Sequence, residues 1–143
     1  RGLKFRWFIV GEGPLKAELQ KQIDERGLSE DFILLGARNN PYPYMARCSV
    51  LVQSSRFEGK SVVLDEAKML CVPIAATAYP TVADQLTDGQ EGLVTPLSAE
   101  GLADGLQKML EDAALREKFT SFLAAHEYGN QQEAEKYVRL LDE

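Results

Sequence analysis

Five apolar runs of strand length recur along the chain: Phe5 to Val10, Phe32 to Leu35, Val50 to Gln53, Val72 to Ala76 and a short Gly92 to Thr95. Each is followed by a stretch with helical features. Leu15, Leu19 and Ile23 repeat every four residues ahead of Gly27, a good helix stop. Leu102, Leu106, Met109 and Leu110 form a second stripe, and Leu115, Phe119, Phe122 and Leu123 a third. Buried strands that alternate with amphipathic helices imply right-handed crossovers and a parallel sheet covered on both faces. The expected class is α/β, a Rossmann-like parallel sheet with helices on both faces. From Ala99 onward only helices are expected, the last from Gln131 to Leu141, giving a C-terminal helical cap.

At 143 residues with 45% hydrophobic content, the chain has enough apolar material for one core and too little length for two. One domain spanning 1–143 is expected. The net charge of −6 disfavours a broad nucleic-acid footprint, although local basic groups can still hold a phosphate. Cys48 and Cys71 lie far apart in sequence in apolar surroundings, which suits reduced core residues better than a disulfide framework or a metal site. A reducing cytoplasm is the expected location. No apolar run approaches the roughly 20 residues that span a bilayer, and no signal peptide is visible.

In an open doubly wound sheet, ligands bind beyond the carboxyl ends of the strands. The loops expected there are Gly11-Glu12-Gly13, the segment from Gly36 through Ala37 and Arg38 to Tyr44, the region around Glu58, and Thr77 to Thr81. The third of these says most about chemistry. Gly59 permits a tight turn, and the amides of Lys60, Ser61 and Val62 would then head a helix, an end that attracts phosphate. With a helix start near Lys60, Glu66 lies roughly 9 Å along it at 1.5 Å per residue. Glu58 and Glu66 would therefore flank a diphosphate, one beside sugar hydroxyls and the other beside a ribose.

Plainer roles stand next to these. The two glutamates could be solvated helix-end charges, and Lys60 and Arg56 surface residues. Gly11 and Gly13 could simply close a strand-to-helix turn. Lys16 stands where the dinucleotide fingerprint needs its third glycine, which argues against a nicotinamide site. Tyr42 and Tyr44 suit packing at a helix start better than stacking on a base. His126, the lone histidine, lies in the helical cap and suits a surface or capping role.

The ordered series Phe8-Ile9-Val10-Gly11-Glu12-Gly13-Pro14, Leu35-Gly36, Asn40-Pro41-Tyr42-Pro43-Tyr44 and Ser54-Ser55-Arg56-Phe57-Glu58-Gly59, closing at Glu66-Ala67, resembles the C-terminal donor domain of retaining family-four glycosyltransferases. Those enzymes have the two-Rossmann GT-B fold. The resemblance runs over nearly the whole chain. Glu58-Gly59-Lys60-Ser61 and Tyr79-Pro80-Thr81-Val82-Ala83-Asp84-Gln85 are similar to bacterial enzymes of capsule, exopolysaccharide and other surface-glycan synthesis.

The resemblance implies residue roles. Glu58 matches the glutamate beside the donor sugar, the catalytic candidate, and Glu66 the one that binds the nucleotide ribose. The backbone of Gly59, Lys60, Ser61 and Val62 matches the turn that holds sugar and diphosphate. Gly11 and Gly13 match a loop lining the cleft, and Ala37 and Arg38 the loop beside the base. No metal and no cofactor is implied beyond the substrate, a UDP- or GDP-linked sugar. The absence of an Asp-x-Asp motif fits.

Two departures accompany the match. Leu70-Cys71-Val72-Pro73 replaces the small-Gly-x-Pro that often follows the helix, without disturbing the fold expectation. The resemblance also implies an earlier strand and loop carrying an arginine and a lysine, and an N-terminal acceptor domain, all expected to lie outside this chain. In the usual order 3-2-1-4-5-6, that strand sits between those ending at Val10 and Gln53. Its absence would leave open edges that another segment fills or through which the fragment self-associates. Direct pairing of the two strands would narrow the cleft.

The expected function of the intact enzyme is glycosyl transfer, with retention, from a nucleotide diphosphosugar to a hydroxyl acceptor held by the missing domain. The fragment alone is expected to bind donor weakly and transfer nothing. Peripheral association with the inner face of the membrane is compatible with this reading. Two other classes compete. Gly59-Lys60-Ser61 imitates the end of a P-loop, but Glu58 would put a carboxylate inside the phosphate cradle and no strand ends in an aspartate suited to magnesium. A catalytically silent nucleotide-binding or interaction domain is the other, and sugar-nucleotide binding discriminates it.

Overall fold

A computed structural model describes residues 2–129; the helix expected over Gln131 to Leu141 falls outside the described residues. The chain divides into two compact units, Arg1–Pro43 and Tyr44–Glu143.

The first unit contains β1 (Trp7–Val10), α1 (Lys16–Glu25) and β2 (Phe32–Gly36). The two strands pair in parallel, Trp7 opposite Phe32 and Ile9 opposite Leu34, with a register shift before Val10 meets Gly36. Trp7 stacks on Phe32 at 5.4 Å between ring centroids, and Phe5 meets the same ring edge-on. The expected stripe on α1 is only partly used: Ile23 is buried, whereas Leu15 and Leu19 are exposed. The helix ends as expected at Gly27. Its φ of 64° lets the Gly27 amide reach Asp24 O and the Leu28 amide reach Ile23 O, a Schellman closure.

A single turn, α2 (Tyr42–Met45), crosses the boundary between the units, its first amide held by Asn40 Oδ1 at 3.2 Å. Tyr42 and Tyr44 are 46% and 41% exposed.

The second unit runs β3 (Leu51–Gln53), α3 (Val62–Met69), β4 (Ile74–Thr77), a short 3-10 turn (Val82–Asp84), β5 (Gly92–Thr95), α4 (Ala99–Glu111) and α5 (Ala113–Ala124). Its strands form a parallel sheet in the order β3-β4-β5, with Ala75 opposite Val52 on one side and Leu93 on the other.

β4 is buried along its length, and its alternation divides the core. Ile74 and Ala76 face a cluster with Met45, Leu64, Ala67, Val72, Tyr79, Val82 and Leu86. Ala75 faces the opposite side, against Leu102, Met109 and Phe119 from the two C-terminal helices. Both faces of this sheet are therefore covered, as expected of a parallel sheet. Helix starts are set locally: Ser98 Oγ accepts the Gly101 amide at 3.0 Å, and Asp112 Oδ1 the Leu115 amide at 2.9 Å.

β4 begins at Ile74 rather than Val72 because the preceding residues close α3. The Cys71 amide reaches Lys68 O and the Val72 amide reaches Ala67 O, while Cys71 itself takes a φ of 55°. This is the same closure that Gly27 makes, here with a non-glycine in the left-handed position.

Candidate functional site

Gly11, Gly13, Ala37 and Arg38 belong to the first unit. The Gly11 amide donates to Gly36 O at 2.9 Å, which places the β1 and β2 loops side by side. Glu12 ties them: its Oε1 accepts Lys16 Nζ at 2.9 Å and the Ala37 amide at 3.3 Å. Those two bonds, the lysine's first, hold the exposed Glu12 carboxyl below the usual range. Gly36 has a φ of 72°, which favours glycine, and a Cβ there would fall 2.7 Å from that same Oε1 and displace the carboxylate. Lys16, at the third glycine's place in the dinucleotide pattern, is thus used to hold a loop. Arg38 is exposed beside this junction.

Glu58, Gly59, Lys60, Ser61, Val62 and Glu66 belong to the second unit, on the turn between β3 and α3. Ser61 is extended, with φ −86° and ψ 105°, so α3 starts at Val62, two residues later than expected. Glu66 then lies about 6 Å along the helix at 1.5 Å per residue. The Ser61 hydroxyl does not cap its own helix; it donates to Gln53 Oε1 at 2.8 Å. The amides at the head of α3, those of Val62 and Val63, have no intrahelical acceptor by position. Glu58 is half-buried, and its Oε1 accepts the Ser55 hydroxyl at 2.7 Å. Thr81 Oγ1 donates to Glu58 O at 2.7 Å and reaches Gly59 O at 3.2 Å, fixing the turn. Lys60 Nζ stands 3.6 Å from Asp65 Oδ2 in an exposed pair.

Gln85 is the residue that the sequence reading missed. Its Oε1 accepts the Ser61 amide at 2.7 Å and its Nε2 donates to Ser61 O at 3.0 Å. The Gln85 carbonyl accepts Lys68 Nζ, and Lys68 pairs with Glu91 at 3.1 Å with both side chains more than nine-tenths buried. Tyr128 closes the group. Its ring centroid lies 5.4 Å from Lys68 Nζ, and burial, reinforced by a hydrogen bond to Glu91, pushes its hydroxyl well above the ordinary range. A glutamine 24 residues from its backbone partner gives no local pattern. A lysine in an apolar helix stripe, Leu64-Ala67-Lys68, was the available signal.

Tyr79, on the loop after β4, buries its hydroxyl with no hydrogen-bond partner among the described residues. Burial raises its pKa, and the charge of Glu58 raises it further.

The occupied Ser61 amide bears on the P-loop alternative. A phosphate nest needs successive free amides after the glycine, and here Gln85 fills one while Lys60 turns to Asp65. Among the described residues no group of three or more His, Cys, Asp or Glu side chains could hold a metal ion. No described helix is long and apolar enough to cross a membrane.

Residues 2–123 match the family model described as glycosyl transferases group 1. A Campylobacter jejuni protein named N-acetylgalactosamine-N,N'-diacetylbacillosaminyl-diphospho-undecaprenol 4-alpha-N-acetylgalactosaminyltransferase is 41% identical over 113 residues, 78% of this chain and 31% of that protein. The chain thus spans about a third of the length of that curated relative. Among solved structures, Staphylococcus aureus TarM superposes with a TM-score of 0.84 at 22% identity, covering 96% of this chain and 29% of TarM. Anabaena HepE, solved with UDP-glucose, gives 0.75 at 26% identity, covering 84% of this chain and 35% of that one. With parallel strands and flanking helices matching the GT-B glycosyltransferases, and the family model covering most of its length, the chain belongs to the glycosyl transferases group 1 family.

Proposed function

We propose that this chain is the donor-binding part of a glycosyltransferase that moves a sugar from a nucleotide diphosphosugar to a hydroxyl acceptor with retention at the anomeric carbon. The observation that carries this reading is the turn from Glu58 to Glu66. The backbone at the helix head is bound by Gln85, with one carboxylate before it and another a turn along it. Amides at a helix start favour a diphosphate. Glu58 is then placed for sugar hydroxyls and Glu66 for the ribose. Lys60 is proposed to approach the phosphates from its exposed position.

The anomeric bond loosens toward an oxocarbenium-like state as the amides of Val62 and Val63 and nearby cations stabilise the departing diphosphate. Glu58 positions the sugar and steadies its developing charge. The acceptor attacks from the face the diphosphate leaves, so no covalent sugar adduct forms on the protein; a trapped adduct on Glu58 would establish double displacement instead.

The likeness to HepE, solved with UDP-glucose, favours uridine over guanosine as the base. The Campylobacter relative, named for transfer to a diphospho-undecaprenol-linked sugar, supports a surface-glycan role with a lipid-linked acceptor at the cytoplasmic face of the membrane. Calorimetric titration of the chain with UDP, GDP and ATP, each with and without magnesium, tests the proposal. UDP binding that is independent of metal and lost in Glu66→Ala is expected. Magnesium-dependent ATP binding would overturn it in favour of a nucleotide hydrolase.

A further inference from the structure

Glu58 is the end of a chain of side chains. Its Oε1 accepts the Ser55 hydroxyl at 2.7 Å, Ser55 Oγ receives Gln53 Nε2 at 3.4 Å, and Gln53 Oε1 accepts the Ser61 hydroxyl at 2.8 Å. An ionised carboxylate only accepts hydrogen bonds. Ser55 must therefore give its one proton to Glu58 and take its own bond from the Gln53 nitrogen. That turns the Gln53 carbonyl oxygen toward Ser61, and the Ser61 hydroxyl must donate to it. Every donor in the series points toward Glu58.

The far end is equally fixed. Ser61 is bound at its amide and carbonyl by Gln85, so its backbone, its hydroxyl and the head of α3 form one clamped element. The backbone under the relay is tied as well, because Thr77 Oγ1 donates to Ser55 O. Gln53 and Ser61 are both buried, where each bond is stronger than in water and an unmade one is more costly.

A buried glutamine at the end of a core strand gains little stability over an apolar side chain of similar volume, because its hydrogen bonds mostly replace those it would make to water. Its value lies in direction. On the donor-site reading above, on which this rests, we propose that Gln53 is a positioning residue: it couples the α3 head that holds the diphosphate to the Glu58 carboxylate that faces the sugar. The nucleotide end and the sugar end of the donor are thereby read by one rigid unit.

The test compares UDP with UDP-glucose on the 143-residue chain, by calorimetry, for wild type and Gln53→Met. Gln53→Met is expected to leave UDP affinity within about twofold and to weaken UDP-glucose about tenfold, the size of one buried hydrogen bond. In a Glu58→Ala background the same substitution should have no effect on either ligand, because nothing remains to be positioned. Should Gln53→Met fail to fold, Ser55→Ala breaks the relay at its half-buried link and carries the same expectation. Equal weakening of both ligands, or an undiminished effect without Glu58, would overturn the coupling while leaving the donor site standing. A wild-type chain that binds neither ligand would overturn the donor-site reading and the coupling together.

Discussion

The side-chain amide of Gln85 holds both backbone polar atoms of Ser61, accepting from the nitrogen at 2.7 Å and donating to the oxygen at 3.0 Å. This is the pairing that a neighbouring strand would offer, supplied by one side chain. It fixes the entry of α3 at Ser61. Gln85→Ala would leave the two Ser61 groups without their partner, at a cost of about 2 kcal/mol. Denaturant unfolding should show that loss, and UDP titration should show affinity reduced about tenfold. An unchanged affinity in a folded Gln85→Ala chain would separate the clamp from the site.

Lys68 and Glu91 form the buried support behind that clamp, at 3.1 Å. Breaking such a pair strands a charge away from water. Lys68→Met should therefore destabilise the chain by roughly 3–5 kcal/mol, whereas the double substitution Lys68→Met with Glu91→Leu should recover much of the loss. Equilibrium unfolding of the three variants decides it; an equally unstable double variant would show that the contact to the Gln85 carbonyl matters more than the charge.

Tyr79 and Tyr128 both hold their protons more tightly in the folded chain than in the unfolded one. A raised folded pKa means that the stability linked to these groups is complete below the ordinary tyrosine value of about 10 and is lost as pH rises beyond it. Because the Tyr79 hydroxyl has no partner, Tyr79→Phe should match or slightly exceed wild type in stability near neutrality, by up to about 1 kcal/mol. Its advantage should widen above about pH 10. Thermal melts across that range measure the difference, and an advantage that shrinks at high pH would contradict the assignment.

Cys71 takes the left-handed conformation that closes α3, a position that favours glycine. A side chain there costs about 1–2 kcal/mol, partly offset because glycine is freer in the unfolded chain. Cys71→Gly is expected to raise stability by on the order of 0.5–1 kcal/mol, read from unfolding midpoints. A loss of stability would mean that the thiol contributes packing that the strain argument omits.

The sheet and helices were legible because their determinants are local or periodic. Leu102 and Met109 on α4, and Phe119 and Leu123 on α5, are spaced for one face each, and all four are buried. Gly27 stops α1 through the conformation that glycine favours. Glu58 and Glu66 stood out by their spacing within an ordered series of motifs. The start of α3 was misplaced by two residues because Ser61 is held extended by Gln85, a contact made far along the chain. The same distance hid Gln53, Thr81 and the Lys68–Glu91 pair, which carry no period and acquire meaning only when strands and turn are brought together. Leu15 and Leu19 read as core by spacing, yet both are exposed, since a periodic stripe does not say what covers it.

The most direct test of the donor-site account is an amide-resolved NMR titration of the 143-residue chain with UDP in the absence of metal. The account predicts saturable shifts at Val62, Val63 and Glu66, with the Ser61 amide held in its bond to Gln85. Silence at these amides at saturating UDP, or shifts that require magnesium and ATP, would contradict it.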